Sequence, residues 1–211
     1  MFNVVLFEPE IPSNTGAIGR TCVVAGARLH LVGPLGFDID DHKLKRAGLA
    51  YWESLDVTVY RDWADFLERC GLADESGRVS EAGAARLHLL TKKARLTYAQ
   101  ASYADEDYLV FGKESAGLPE ELLAELAERC ERIPMLPDAS ALDNREEWAA
   151  RADELGGGAS TLEHTALMQR DICGNFVDPD DWRISALNLA NAASIVLYEA
   201  LRQNGFPGMD A

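Results

Sequence analysis

The sequence predicts an α/β fold, a parallel sheet with helices on both faces. Two observations carry that expectation. Short apolar, β-prone runs alternate along the chain with longer runs of helical period, and most are closed by Gly, Pro or a capping residue. The 211 residues, 47% hydrophobic, also hold enough apolar material for a core of one domain, or of one domain with an appendage.

Residues 3–7 read as a buried strand ended by Pro9 and Pro12. Ser13 or Asn14 is expected to cap a helix reaching Ala25, with Gly26 just past its end. Ile18, Cys22 and Ala25 share the core face of that helix; Arg20 falls opposite, among Gly16, Ala17 and Gly19. Residues 28–32 form a second strand, 41–48 a short helix or turn, and 57–60 a third strand. Asp62 then caps a helix that turns Trp63, Phe66 and Leu67 inward. The polar, glycine-punctuated stretch 71–83 reads as a loop or poorly ordered excursion. Strands are expected at 87–91, 108–111 and 133–135. Pro119 opens a helix to about Cys130, with Glu120 and Glu121 where the helix dipole favours them. The last helix, 187–204, carries an apolar arc of Leu189, Ala193, Val196, Leu197, Ala200 and Leu201. Its other side, with Asn188, Ser194, Ile195, Tyr198 and Arg202, is either a solvated face or a subunit contact.

The net charge of −15 is first a matter of solubility, and it opposes nucleic-acid binding unless basic residues are gathered locally. They are gathered twice, at Lys43, Lys45 and Arg46 and at Lys92, Lys93 and Arg95. Part of the acidity lies in residues 139–184, which hold four Arg against ten Asp and Glu. Four scattered cysteines without a C-x-x-C pair speak for reduced thiols in the cytoplasm and against a zinc site or disulfide framework. No apolar run approaches the ~18 residues of a membrane span, and the first residues lack the features of a signal peptide.

No Ser-His-Asp or Cys-His arrangement is legible, and His30 and His88 lie inside strands, where a structural role is expected. Neither G-x-G-x-x-G after a strand nor G-x-x-x-x-G-K-[ST] occurs. What remains are three turn-forming stretches after strands: Pro9 to Arg20, Gly112 to Leu118, and Pro134 to Asn191 with a long segment inside it. Strand ends rich in small residues expose backbone groups, and three together suggest a nucleotide-like ligand held by main chain. The triplet Ser-Ala-Leu stands on both sides of the interruption, at Ser140 and Ser185, as if one loop had been opened there.

Glu8-Pro9-Glu10-Ile11-Pro12-Ser13-Asn14-Thr15-Gly16, continuing to Arg20, resembles the first motif of the SpoU-type RNA 2′-O-methyltransferases of the SPOUT superfamily. Phe111-Gly112-Lys113-Glu114-Ser115-Ala116-Gly117-Leu118 resembles their second motif. Ile133-Pro134-Met135, rejoined to Leu187-Asn188-Leu189-Ala190-Asn191-Ala192, resembles the third. Within that group Arg46-Ala47-Gly48-Leu49, Tyr51 and Val196-Leu197-Tyr198-Glu199-Ala200 are similar to the TrmL branch, which methylates the wobble nucleotide of certain tRNAs. The resemblance covers residues 1–138 and 185–208. It implies one domain over 1–211 with an insertion at about 139–184 inside the third motif. It further implies a deep C-terminal trefoil knot, S-adenosylmethionine as donor without a metal, and a homodimer.

Carried over residue by residue, the resemblance implies donor-binding backbone at Leu90, Gly112 and Ile133, and a serine contact at Ser185. It implies Arg20 as the catalytic arginine and Tyr198 at the dimer contact. Ala186 and Ala190 stand where the family has serines. Lys43, Lys45, Arg46, Lys92 and Lys93 are the candidates for phosphates of a tRNA anticodon stem-loop, whose unpaired nucleotides present base edges and 2′-hydroxyls. A permanently charged Arg20 suits positioning of phosphate and stabilisation of charge on the 2′-oxygen, with phosphate, water or a neutral Arg20 as the proton's acceptor. S-adenosylhomocysteine would be the product. Two other readings stay open: the same chemistry on another RNA such as rRNA, and a knotted RNA-binding dimer without transferase activity.

Overall fold

The structure is a computed structural model that describes residues 1–38, 50–135 and 186–209. The expected turn at 41–48, the candidates Lys43, Lys45, Arg46 and Ser185, and the 139–184 segment lie outside the described residues. In chain order the elements are β1 (Asn3–Phe7), α1 (Pro12–Ala25), β2 (Arg28–Val32), a 3-10 turn (Ala50–Ser54), β3 (Val57–Tyr60), α2 (Trp63–Arg69) and α3 (Glu81–Ala84). They continue as β4 (Leu87–Leu90), β5 (Leu96–Thr97), β6 (Tyr108–Phe111), α4 (Glu120–Glu125), a 3-10 turn (Ala127–Arg129), β7 (Cys130–Arg132) and α5 (Leu189–Gln203).

The seven strands form one sheet in the order β3-β2-β1-β6-β4-β7-β5, and every pairing is parallel. Because side chains alternate along a strand, a sheet covered on both faces needs strands that are apolar throughout, and all five residues of β1 are buried. Val4, Leu6, Leu29, Leu31, Leu109 and Phe111 join one core with Ile18 and Cys22 of α1 and Val196 and Leu197 of α5. Val5, Phe7, Val32, Leu89 and Val110 join a second core with Phe66 of α2 and Leu122 and Leu123 of α4. The result is a helix–sheet–helix sandwich. Among the described residues no helix is long and apolar enough to cross a membrane, and the three described cysteines are free.

Several boundaries differ from the sequence reading, each for a local reason. α1 begins at Pro12 with Ile11 at its N-cap and no side-chain cap; Asn14 is buried and spends its amide on other elements. Residues 71–83 are not a poorly ordered excursion. Asp74 Oδ1 accepts from the backbone of Ser76 and Arg78, Ala73 bridges Val79, Ser80 caps α3, and Leu72 is fully buried. The helix opened by Pro119 ends at Glu125 rather than near Cys130, and Pro119 is its N-cap rather than its first residue. The last strand lies three residues earlier than expected, at Cys130–Arg132, where it pairs with β4 and β5. Pro134 has no N–H to offer such a ladder. Helix α5 is capped by Asn188, whose side chain accepts from Ala190 and Asn191.

Candidate active site

Strands β1 and β6 lie side by side, but α1 carries the chain from β1 towards β2 while α4 carries it from β6 past β4 to β7. The connections leave in opposite directions, so the carboxyl ends of β1 and β6 open a crevice at a topological switch point, where open α/β sheets bind ligands. The polar residues of the first two motifs meet there. Glu114 Oε2 accepts from the Glu10 backbone N–H at 2.9 Å, and its Oε1 accepts from Asn14 Nδ2 at 2.9 Å. Glu10 in turn accepts from the Ser115 N–H at 2.9 Å and its hydroxyl at 2.8 Å. Lys113 Nζ meets Glu8 Oε2 at 2.9 Å. Glu8 itself has φ 47, a left-handed conformation that costs a non-glycine residue energy and is held here by these bonds and its N–H to Val32 O at 2.7 Å.

The third motif closes on the same point. Asn188 Nδ2 donates to Asn14 Oδ1 at 2.9 Å, so the Asn14 amide uses both ends, one on Glu114 and one on Asn188. Asn14, Glu114 and Asn188 each lie within one of the three motif stretches, but the sequence does not show that they bond to one another.

The three expected donor-binding positions are also brought together. Leu90 ends β4, Gly112 follows β6 and Ile133 follows β7, and these three strands are neighbours with β4 in the middle. Leu90 and Ile133 rest half-buried on the same core as Leu189 and Ala190 from beyond the interruption. Gly112 is required by the turn it opens: a Cβ there would lie 2.1 Å from Gly117 C and 2.3 Å from Leu118 N, both backbone atoms.

Arg20 projects from α1 and is exposed. Gly16 and Gly19, which the sequence places beside Arg20 opposite the core face, are buried. Tyr51 donates its hydroxyl to Gly16 O at 2.6 Å, and Trp52 and Leu55 lie over Gly19, where a Cβ would come within 3.2 Å and 3.0 Å of them. Burial pushes the Tyr51 phenol up, and the positive charge of Arg20 opposes that. Lys92 is exposed, whereas Lys93 forms an ion pair with Glu120. Tyr198 is 43% exposed on α5.

Two residues before Leu90 and Ile133, His88 and Glu131 belong to a buried cluster with Asp107 and Tyr103. His88 places Nδ1 2.6 Å from Glu131 Oε1 and Nε2 3.1 Å from Asp107 Oδ2, and Tyr103 donates to Glu131 Oε2 at 2.6 Å. Burial alone would lower the His88 pKa, but hydrogen bonds and charge from the two carboxylates outweigh it and hold it at about 9. His30, between Tyr60 and Asn3, has no such partner and is pushed down to about 4 by burial. Both histidines lie buried within strands, as the sequence places them.

Residues 1–143 match the family model described as the SpoU rRNA methylase family. The chain belongs to the SpoU rRNA methylase family. A relative in Escherichia coli (strain K12), tRNA (cytidine(34)-2′-O)-methyltransferase, is 38% identical over 209 residues, covering 99% of this chain and 97% of the relative. A solved structure bearing on the 2-OH methylation of C/U34 on tRNA is 31% identical with a TM-score of 0.65, covering 97% of each chain. The SpoU methyltransferase AviRb from Streptomyces viridochromogenes, solved with the cofactor AdoMet, shares the fold at 22% identity and a TM-score of 0.61, over 96% of this chain and 57% of its own. Among the described residues no group of His, Cys, Asp or Glu could hold a metal ion.

Proposed function

We propose that this SpoU-family protein is an S-adenosylmethionine-dependent tRNA 2′-O-methyltransferase that acts on the wobble nucleotide, the position 34 named in its Escherichia coli relative. The observation that carries the reading is the Asn188–Asn14–Glu114 chain of hydrogen bonds, which draws all three motif stretches to one switch-point crevice. The donor fits what is there. Half-buried Leu90, Ile133, Leu189 and Ala190 give apolar walls, and the neighbouring strand ends at Leu90, Gly112 and Ile133 give main-chain groups for the polar edges of an adenosine. Ser185 is proposed as a side-chain contact, and residues 139–184 as an insertion within that motif.

Bound there, S-adenosylmethionine supplies an activated sulfonium methyl, which a ribose 2′-oxygen displaces to leave S-adenosylhomocysteine. What this chain contributes is alignment and charge. The crevice fixes the strand ends relative to one another, and exposed Arg20 holds a phosphate of the target nucleotide and stabilises negative charge as it grows on the 2′-oxygen. Lys43, Lys45, Arg46, Lys92 and Lys93 make phosphate contacts that seat the anticodon stem-loop despite the net charge of −15.

The same reading includes a C-terminal trefoil knot and a homodimer. Thr21 of α1 lies 3.3 Å from Ser194 of α5, and on these two packed helices Val24 is 63%, Ile195 37% and Tyr198 43% exposed, apolar surface suited to a second copy. The test is to incubate the protein with labelled donor and separated tRNA and rRNA, then map the methylated ribose. Label on tRNA at the wobble ribose supports the reading. Label on rRNA alone replaces the substrate, and failure to bind S-adenosylhomocysteine removes the enzyme class.

A further inference from the structure

Resting on that reading of Arg20, the geometry around α1 points to one further residue. Gly16 and Arg20 are four residues apart, so they lie one above the other on the same side of the helix, and the Gly16 carbonyl is the helical acceptor for the Arg20 N–H. Tyr51 donates to that same carbonyl at 2.6 Å. Its 3-10 turn is seated on the helix by Trp52 and Leu55, over a Gly19 whose missing side chain makes the room. The Tyr51 side chain, half-buried, thus stands beside the Arg20 charge and is anchored to the turn of helix from which Arg20 projects.

We propose that Tyr51 is a positioning residue for methyl transfer: its hydroxyl fixes the helical turn at Gly16 from which Arg20 projects, so that the guanidinium meets the nucleotide in one direction. An exposed arginine has many arrangements, and fixing the turn that carries it removes some of them before substrate arrives. Tyr51 acts through Arg20 and touches neither donor nor reacting oxygen.

Transfer to tRNA by the wild-type protein and its fall in Arg20→Lys come first, since they establish the reading on which the proposal rests. Tyr51→Phe removes the hydroxyl bond alone, and Tyr51→Ala removes the ring as well. The expected kcat falls about 3–10-fold for the first and about 100-fold for the second, with KM for donor and tRNA within about 2-fold of wild type. In the Arg20→Lys background Tyr51→Phe costs less than about 2-fold more, because the group it positions has already changed. Equal losses in the two backgrounds overturn the proposal, as does an effect confined to the tRNA KM or one matched by a fall in donor affinity. Thermal unfolding identifies a variant that does not fold; should that be Tyr51→Ala, the Tyr51→Phe comparison decides. A wild-type protein inactive on tRNA, or an Arg20→Lys variant as active as wild type, would defeat the underlying reading and the proposal with it.

Discussion

Asn188 at the head of the last helix donates its side-chain amide to Asn14 of the first helix at 2.9 Å, across 174 positions of sequence. It does so while its carbonyl oxygen caps α5 through Ala190 N at 2.9 Å. One side chain therefore starts a helix and closes the crevice. The two roles separate by substitution. Asn188→Ser keeps a cap but is too short to reach Asn14, leaving a buried amide oxygen unmet at about 1–3 kcal/mol. Asn188→Ala loses the cap too, about 1 kcal/mol more. Urea unfolding should rank wild type above Ser above Ala, and equal midpoints for Ser and wild type would mean the bridge contributes nothing.

Arg20→Ala is expected to abolish turnover, with S-adenosylhomocysteine affinity by calorimetry within about 2-fold of wild type, because the role proposed for Arg20 is toward the nucleotide and not the donor. Retained turnover would remove its catalytic role.

Gly112→Ala places a methyl group 2.1 Å from backbone carbon of Gly117, and neither partner is a flexible side chain that can turn away. The turn must open, carrying the main chain after β6 with it. Donor affinity should weaken by about 10-fold or more, in line with the cost of overpacking against rigid neighbours. Affinity unchanged by calorimetry would place the donor elsewhere.

The two buried histidines bracket the pH range of stability. His88 is held at about 9 against an ordinary 6.5, so its contribution is complete below pH 6.5 and is lost as pH rises through 9. His30 is lowered to about 4, so the folded protein resists a proton that the unfolded chain accepts, and stability is lost as pH falls from 6.5 towards 4. Each limb is worth at most roughly 3 kcal/mol. Unfolding free energy should peak near neutral pH, with His88→Gln flattening the alkaline limb and His30→Gln the acid one.

The strands of the central sheet were legible because burial on both faces favours largely apolar runs, which residues 3–7, 28–32 and 108–111 provide apart from Asn3, Arg28 and His30. β5 was missed: Leu96–Thr97 is two residues long and pairs with β7 at the sheet edge, and no pattern exists at that length. The polar stretch 71–83 hid its order because Asp74 and Ser80 stabilise turns through backbone bonds, which composition reports as loop. Motifs marked the strand ends followed by Gly and Pro at which the candidate site is placed. They could not announce that Glu114 would choose Glu10 and Asn14, about 100 positions away, because such pairing depends on strand order. Tyr51 was noted only as part of a motif; its contact with Gly16 required the 3-10 turn to lie on α1.

The packing of α5 also sets the order of events at the ribosome. Val196, Leu197, Ala200 and Leu201 cover the same core that Val4, Leu6, Ile18 and Leu109 enter from far earlier in translation. Until those residues emerge, that side of the nascent sheet carries α1 without its second helix, and the crevice lacks Asn188. A nascent chain stalled before α5 keeps this apolar surface uncovered and is a natural client for chaperones.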